Sequence, residues 1–301
     1  MDAIERYFEL NSAAWLDQAY HDKPHSYPTA RHRLRLSLGA LKPLARPGAL
    51  LLELACGGAH LSAEAAKLGF RAVAVDQSSA MLTAARERIG KLPAEARARV
   101  EFVCGDVLTC PLPEGFDAAA ALGLLEYLPD DSVLLKRAAQ RLKPGGLFLI
   151  DFRNRLFNLF SVSAYTRREL AGGAAELADE VQELYAPLPA DRTRAFLREL
   201  GRRAAEMAKA GELAPEPEEA GFQGSAEGRQ HTPKEARTLG AAHGFETVGL
   251  YGIHPHLSAP RLNRMLPVPA YNALSDSLLV FEDLPASLIW SSKFLAVYRK
   301  K

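Results

Sequence analysis

Residues 51–60 carry an apolar run into a cluster of very small side chains, Ala55-Cys56-Gly57-Gly58-Ala59, and a helical pattern starts at His60. Side chains this small let a ligand approach the backbone closely, and the helix start behind them offers unpaired N–H groups. Asp76 closes a second apolar run 23 residues after Glu53. A carboxylate there can accept both hydroxyls of a ribose. A third run ends in Gly105-Asp106-Val107, where an aspartate can accept a hydrogen bond from an adenine amino group while Val107 packs on the ring. Each feature has a plainer use: a tight turn, a cap for the helix starting near Ser79, a turn aspartate. Together they place acids and small residues at the ends of consecutive strands, the edge where ligands bind in open α/β sheets. The chemistry expected of them is capture of an adenine nucleoside.

Other side chains are candidates for a second reactant. Asp151, Arg153 and Asn154 leave the fifth apolar run at the same edge, with capping and salt bridging as the alternative. Tyr165 is a further candidate, with core packing as its alternative. His254 and His256 follow a late strand, and His254 is the candidate general base. A His-x-His pair can ligate metal, but no acid or cysteine lies near it in sequence, so no metal is expected. His231 stands just before a helix and is ambiguous, while Tyr20, Arg31 and Arg35 in the N-terminal segment could reach a ligand carboxylate, with a plain helix-surface role as the favoured alternative. Cys56 reads as a small packed hydrophobe.

The elements that must position these residues follow from periodicity. Short, mainly apolar runs at 49–55, 72–76, 100–104, 118–122 and 147–151 alternate with amphipathic stretches at 60–68, 79–89 and 132–142. That rhythm predicts parallel strands covered on both faces in a doubly wound sheet. Residues 1–46 read as a helical cover broken at 21–25, 47–152 as the binding core, and 153–230 as a mainly helical insertion over the substrate. Helices are expected at 166–185 and 191–209, then a Pro/Glu/Gly-rich loop at 211–228. Thr232, Pro233 and Glu235 predict a capped helix start. Residues 231–301 complete the core, with alternating strands at 246–253 and 293–299.

Composition narrows the classes. Lys and Arg number 37 against 36 Asp and Glu, so no net field favours nucleic acid or an anionic membrane. The three cysteines include no C-x-x-C pair and suit a reducing compartment. The first residues are charged without an apolar signal core, and a cytoplasmic location is expected.

On these residues, segment 49–151 resembles the cofactor core of class I S-adenosylmethionine (SAM)-dependent methyltransferases, in the branch similar to ubiquinone and menaquinone enzymes. Residues 53–59 resemble that family's first motif, an acid followed by alternating glycines, with Ala55 and Ala59 replacing two of them. Asp76 matches the ribose-binding acid and Asp106 the adenine-side acid. Residues 122–130 resemble the segment after the fourth strand, with Tyr127 where histidine is frequent, and 142–146 the turn into the fifth. The resemblance implies a Rossmann-like α/β sheet, mostly parallel, of order 3-2-1-4-5-7-6 with a C-terminal antiparallel strand and a helical cover. It implies a cofactor site in which Ala55 and Gly57 meet the amino-acid portion, beside Glu53 and Cys56. Asp76 and Gln77 would hold the ribose, Asp106 and Val107 the adenine, and Leu122 would sit near the sulfonium. Tyr127 would face the acceptor. The implied reaction is methyl transfer from SAM to an oxygen, nitrogen or carbon of a small metabolite, of the kind made in secondary metabolism, by a monomer or homodimer.

Competing readings stay open at this level. A dinucleotide dehydrogenase would want G-x-G-x-x-G, which this loop lacks. A base-flipping nucleic-acid enzyme is disfavoured by Gly123-Leu124-Leu125-Glu126 after the fourth strand. SAM chemistry that releases methylthioadenosine, or a non-catalytic SAM-binding protein, would use the same cofactor residues.

Overall fold

β4 (Phe116–Ala121) consists of Phe, Asp and four alanines, and every residue in it is buried. Side chains so small let layers pack close on both faces, as a central parallel strand requires. Beside it in the chain-order numbering are β1 (Leu50–Leu54), β2 (Arg71–Asp76), β3 (Val100–Cys104), β5 (Leu142–Asn154), β6 (Gln230–His231), β7 (Phe245–Pro255) and β8 (Ser291–Lys300). The computed structural model describes residues 3–20, 27–210, 229–260 and 266–301. The expected break at 21–25 and the loop at 211–228 lie outside the described residues.

The sheet runs β3-β2-β1-β4-β5-β8-β7. β1 to β5 are parallel, and β8 lies antiparallel to both β5 and β7. This is the expected order once β6 is counted. That short strand was not foreseen; it pairs parallel with the end of β5, Arg153 with Gln230 and Asn154 with His231. β5 also starts earlier than expected, because Lys143-Pro144-Gly145-Gly146 is taken into the strand with Gly145 at positive φ.

Connections are helical: α1 (Ala3–Tyr20), α2 (Thr29–Leu41), α3 (His60–Lys67), α4 (Ser79–Gly90), α5 (Ala94–Arg97) and α6 (Asp131–Arg141). After β5 come α7 (Phe157–Ser161), α8 (Ala164–Ala171), α9 (Ala174–Leu184) and α10 (Ala190–Ala210). The helix expected over 166–185 is therefore two, separated at Gly172-Gly173, where Gly173 has φ +106°. α11 (Pro233–Ala242) starts as expected, with Thr232 and Glu235 bonded reciprocally in a capping box. Between β7 and β8 lie α12 (Val268–Ser275) and α13 (Ser287–Trp290).

Two apolar layers flank the sheet. One gathers Leu52, Phe148, Ile150, Phe294 and Tyr298. The other gathers Leu51, Phe70, Leu149 and Leu295 beneath Leu36 and Leu41 of α2. α2 thus packs on this face of the sheet, against β7 and β8. α10 packs instead on α12, through Met207, Ala270 and Leu274.

Candidate active site

The turn after β1 is made by backbone shape. Ala55, Gly57 and Ala59 alternate in the left-handed region at φ 57°, 49° and 52°. Only glycine adopts that region without steric cost, so two of these positions are strained. The turn is fastened at its base: Cys56 N–H donates to the Val75 carbonyl at 2.9 Å, and Gly57 N–H to Asp76 Oδ2 at 2.8 Å. Asp76 Oδ1 accepts from Ser78 N–H at 3.0 Å. Burial pushes the Asp76 carboxyl above its ordinary range, against the pull of these backbone donors. Ser78, not Asp76, caps α4, its side chain accepting from Met81 N–H. The plain capping role considered for Asp76 is thereby taken by its neighbour.

Asp106 lies on the same rim. Gly105 N–H donates to the Asp76 carbonyl at 3.0 Å, tying the ends of β2 and β3 together. The Asp106 carboxylate accepts from Leu108 N–H at 2.9 Å and the Thr109 hydroxyl at 3.2 Å. It is a turn aspartate and a cavity residue at once.

A cavity of about 260 Å³ runs along this rim, and Ala55, Gly57, Asp76, Gln77, Asp106 and Val107 line it, with Leu122 and Tyr127 at its other end. Eight residues expected on sequence grounds therefore meet in one space. Glu53 and Cys56 line no part of it. Both are buried beneath the turn, Glu53 accepting from Ser62 N–H at 2.9 Å and from the Ser62 hydroxyl. Burial raises the Glu53 carboxyl to about 7 and lifts the Cys56 thiol well above its ordinary value.

α1 covers the rim. Glu9 accepts from the hydroxyls of Ser78 and Ser79 and from Ala80 N–H, docking α1 on the start of α4. Those hydrogen bonds hold the Glu9 carboxyl below its ordinary range. Tyr20, set aside as a surface residue, stacks on His60 with ring centroids 3.4 Å apart. Trp15 lines the cavity and also a second one of about 230 Å³. The two share Trp15, Gly123 and Tyr127, and the second adds Tyr27, Arg33, Glu126 and Lys293.

The residues expected on the acceptor side are placed differently from expectation. Asp151 is buried and paired: Arg33 donates to it at 2.8 Å, and Gly123 N–H bonds its other oxygen. Despite burial, the Arg33 charge holds the Asp151 carboxyl below its ordinary range. Asn154 is turned into the protein, where it donates to the Leu288 and Ser291 carbonyls and fastens β5 to the segment before β8. Tyr165, on α8, lies under the Arg168 guanidinium at 5.5 Å and lines neither cavity. Arg153 approaches Glu126 at 3.5 Å beside the second cavity. The described residues 155–210 line neither cavity.

His254 does not face an acceptor. Its ring stacks on Tyr27 at 4.1 Å and packs on His256 at 4.2 Å, and its backbone N–H donates to His32 Nδ1 at 3.3 Å. Burial, then the neighbouring His256 and His32, push it well below its ordinary value. A neutral, enclosed imidazole with so little basicity is a poor proton acceptor. His256 is held by Tyr271 at 3.0 Å, and burial takes it to about 3.

Arg33, Glu126, Lys293 and Trp15 were not among the residues expected at the site. The signal for Arg33 was present: Ala30, Arg33, Ser37 and Leu41 share the buried stripe of α2. Lys293 and Glu126 are brought together only by the antiparallel return of β8, which no local pattern announces.

Residues 52–150 match the methyltransferase domain family. A ubiquinone biosynthesis O-methyltransferase of Xanthomonas campestris is 30% identical over 165 residues, spanning 54% of this chain and 68% of that protein. One from Xanthomonas oryzae is 29% identical over 139 residues, 45% of this chain and 57% of that protein. The magnesium protoporphyrin IX methyltransferase of Synechocystis PCC 6803, solved with bound SAH, superposes with a TM-score of 0.54 over 99% of this chain and 98% of its own, at 13% identity. The cyclase SpnF does so at 0.53 over 99% and 94%, at 15% identity. At that identity these two structures speak to the fold alone.

Proposed function

Because the chain is a SAM-dependent methyltransferase and belongs to the ubiquinone-type branch of the class I family, we propose that it methylates an oxygen, nitrogen or carbon atom of a small molecule held in the second cavity. One observation carries the reading: the rim bearing the β1 turn, Asp76 and Asp106 lines a cavity that shares Trp15, Gly123 and Tyr127 with a second, polar one.

The residues of the first cavity suit a nucleoside with an amino-acid tail. Asp76, with Gln77 beside it, accepts the ribose hydroxyls, and Asp106 with Val107 takes the adenine. Ala55 and Gly57 meet the amino-acid end through main-chain groups, and Leu122 packs near the sulfonium. Glu53 and Cys56 act from below, holding the turn rather than the ligand. SAM when bound supplies a methyl group on a sulfonium that an acceptor atom displaces in line. For such a step, alignment and exclusion of water provide most of the acceleration. Trp15 and Tyr127 narrow the junction between the cavities, and α1 and α2 keep solvent from it. Arg33 and Asp151 fix Gly123, whose φ of +71° strains any other residue, and a Cβ there would stand 2.8 Å from the Arg33 guanidinium and displace it.

Calorimetry with SAM and S-adenosylhomocysteine (SAH) tests the assignment. Asp76→Ala should weaken both by at least ~1.5–3 kcal/mol, the worth of lost charge-assisted hydrogen bonds. Unchanged affinity would place the nucleoside elsewhere. Turnover should release SAH; methylthioadenosine as product would exclude methyl transfer.

A further inference from the structure

The second cavity backs onto a void of about 10 Å³, and Gly123, Glu126 and Lys293 line both. Lys293, the third residue of β8, stands directly opposite Arg153 of β5 in the antiparallel register. Like charges in that relation repel. What relieves the repulsion is Glu126, from the turn after β4, which Lys293 meets at 3.1 Å and Arg153 at 3.5 Å. Asp151, paired with Arg33, also acts on Lys293, so two carboxylates are divided among three cations. Lys293, Arg153 and Glu126 are sheltered, with side chains 24%, 20% and 14% exposed. Away from bulk water, a cation whose counter-charge is shared gains strongly from a further anion.

The geometry points to a site for an acidic acceptor: we infer that Lys293 binds a carboxylate of the molecule to be methylated and selects it over neutral and cationic analogues. The inference rests on the reading of the second cavity as the acceptor site. An ammonium has three donors, so Lys293 can keep Glu126 and hold a ligand carboxylate together. Trp15, Tyr27 and Tyr127 supply flat apolar walls for the rest of the molecule. The Tyr27 hydroxyl is committed to Asp276 at 2.7 Å and leaves its ring to the cavity. Lys293 is a specificity residue here; no proton transfer is assigned to it.

The test uses the full chain saturated with SAH and titrated calorimetrically with phenylacetate, phenylacetamide and phenethylamine, which share a ring and differ in charge. Phenylacetate should bind at least about tenfold more tightly than the amide, as a charge-assisted contact provides, and the amine more weakly still. Lys293→Gln should bring phenylacetate down to the amide's affinity, while SAH affinity stays within about twofold. Lys293→Arg, which keeps the charge, should keep the preference for the acid. The comparison of acid with amide needs no variant, so it stands even if Lys293→Gln does not fold. Equal affinities, a preference for the amine, no binding of phenylacetate, or an unaltered preference in Lys293→Gln would each overturn the inference. SAH binding without acid preference sinks this inference alone; failure of the wild type to bind SAH sinks the cofactor reading with it.

Discussion

The two cavities meet at Gly123, yet they are built by different means. The first is a product of main-chain shape: a turn of tiny residues, three of them left-handed, held by N–H donors at the ends of adjacent strands. Apart from Trp15, its lining comes from residues 55–129. The second is a product of side-chain charge, with Arg33 from α2, Glu126 from the turn after β4 and Lys293 from the last strand. A site of the first kind depends on backbone conformation and tolerates changes of side chain that respect it. A site of the second kind depends on partners, and removing one strands the other.

The largest effect should come from breaking the buried pair of the second cavity. Arg33 and Asp151 have side chains only 6% and 2% exposed, with N–O at 2.8 Å. Arg33→Ala leaves the Asp151 charge enclosed with the Gly123 N–H as a hydrogen-bond donor and the Lys293 charge as a remaining counter-charge. A broken buried pair typically costs about 3–5 kcal/mol, and replacing both members recovers much of it. Urea unfolding of Arg33→Ala, Asp151→Asn and the double variant should therefore show strong non-additivity. Additive losses, each no larger than a surface change, would mean that charge pairing does not build this side of the junction.

Next in size is a pH effect beneath the first cavity. Glu53 is raised from 4.5 to about 7 by burial, over the opposing pull of Ser62. The folded carboxyl holds its proton more tightly than the unfolded one, so its contribution to stability is full below the unfolded value and is lost as pH rises through about 7. The loss should approach about 3 kcal/mol, from the shift and the linkage relation. Glu53→Gln keeps the shape and an acceptor for Ser62 but has no such titration. Unfolding free energies at about pH 5 and about pH 8 should fall more in the wild type than in Glu53→Gln. Parallel changes would show that Glu53 is already ionised in the fold.

The same contrast explains what the sequence disclosed. The alternating helices, the apolar runs and the small-residue turn are local, so the strands, the acids at Asp76 and Asp106 and the capping box at Thr232 could be read from spacing, whereas strand order came with the family resemblance. Acceptor-side residues could not, because their setting depends on contacts between residues far apart in the chain. Asn154 looks like a rim residue until the segment before β8 closes over it, donating its amide to carbonyls 134 and 137 positions away. His254 looks like a base until Tyr27, from the other end of the chain, stacks on it. Arg33 is half an exception: its helical stripe was legible, but its partner Asp151 was not.

The smallest effect, and the sharpest probe of the first cavity, lies in the strained alanines. An L-residue in the left-handed region gives up roughly 1–2 kcal/mol, whereas glycine gives up about 0.5–1 kcal/mol in chain entropy. Ala55 is half-buried and Ala59 fully buried. Ala55→Gly should accordingly raise stability by about 0.5 kcal/mol. At Ala59 the lost methyl, worth about 0.8 kcal/mol when buried, should cancel the relief and leave stability level. SAH affinity should stay within about twofold in both, because the turn presents its main chain and not these methyl groups. Unfolding midpoints with calorimetry on the two variants measure this. A marked loss of SAH affinity at Ala55→Gly would show that the methyl group, not the backbone it bends, shapes the first cavity, and the contrast with the charged second cavity would lose its basis.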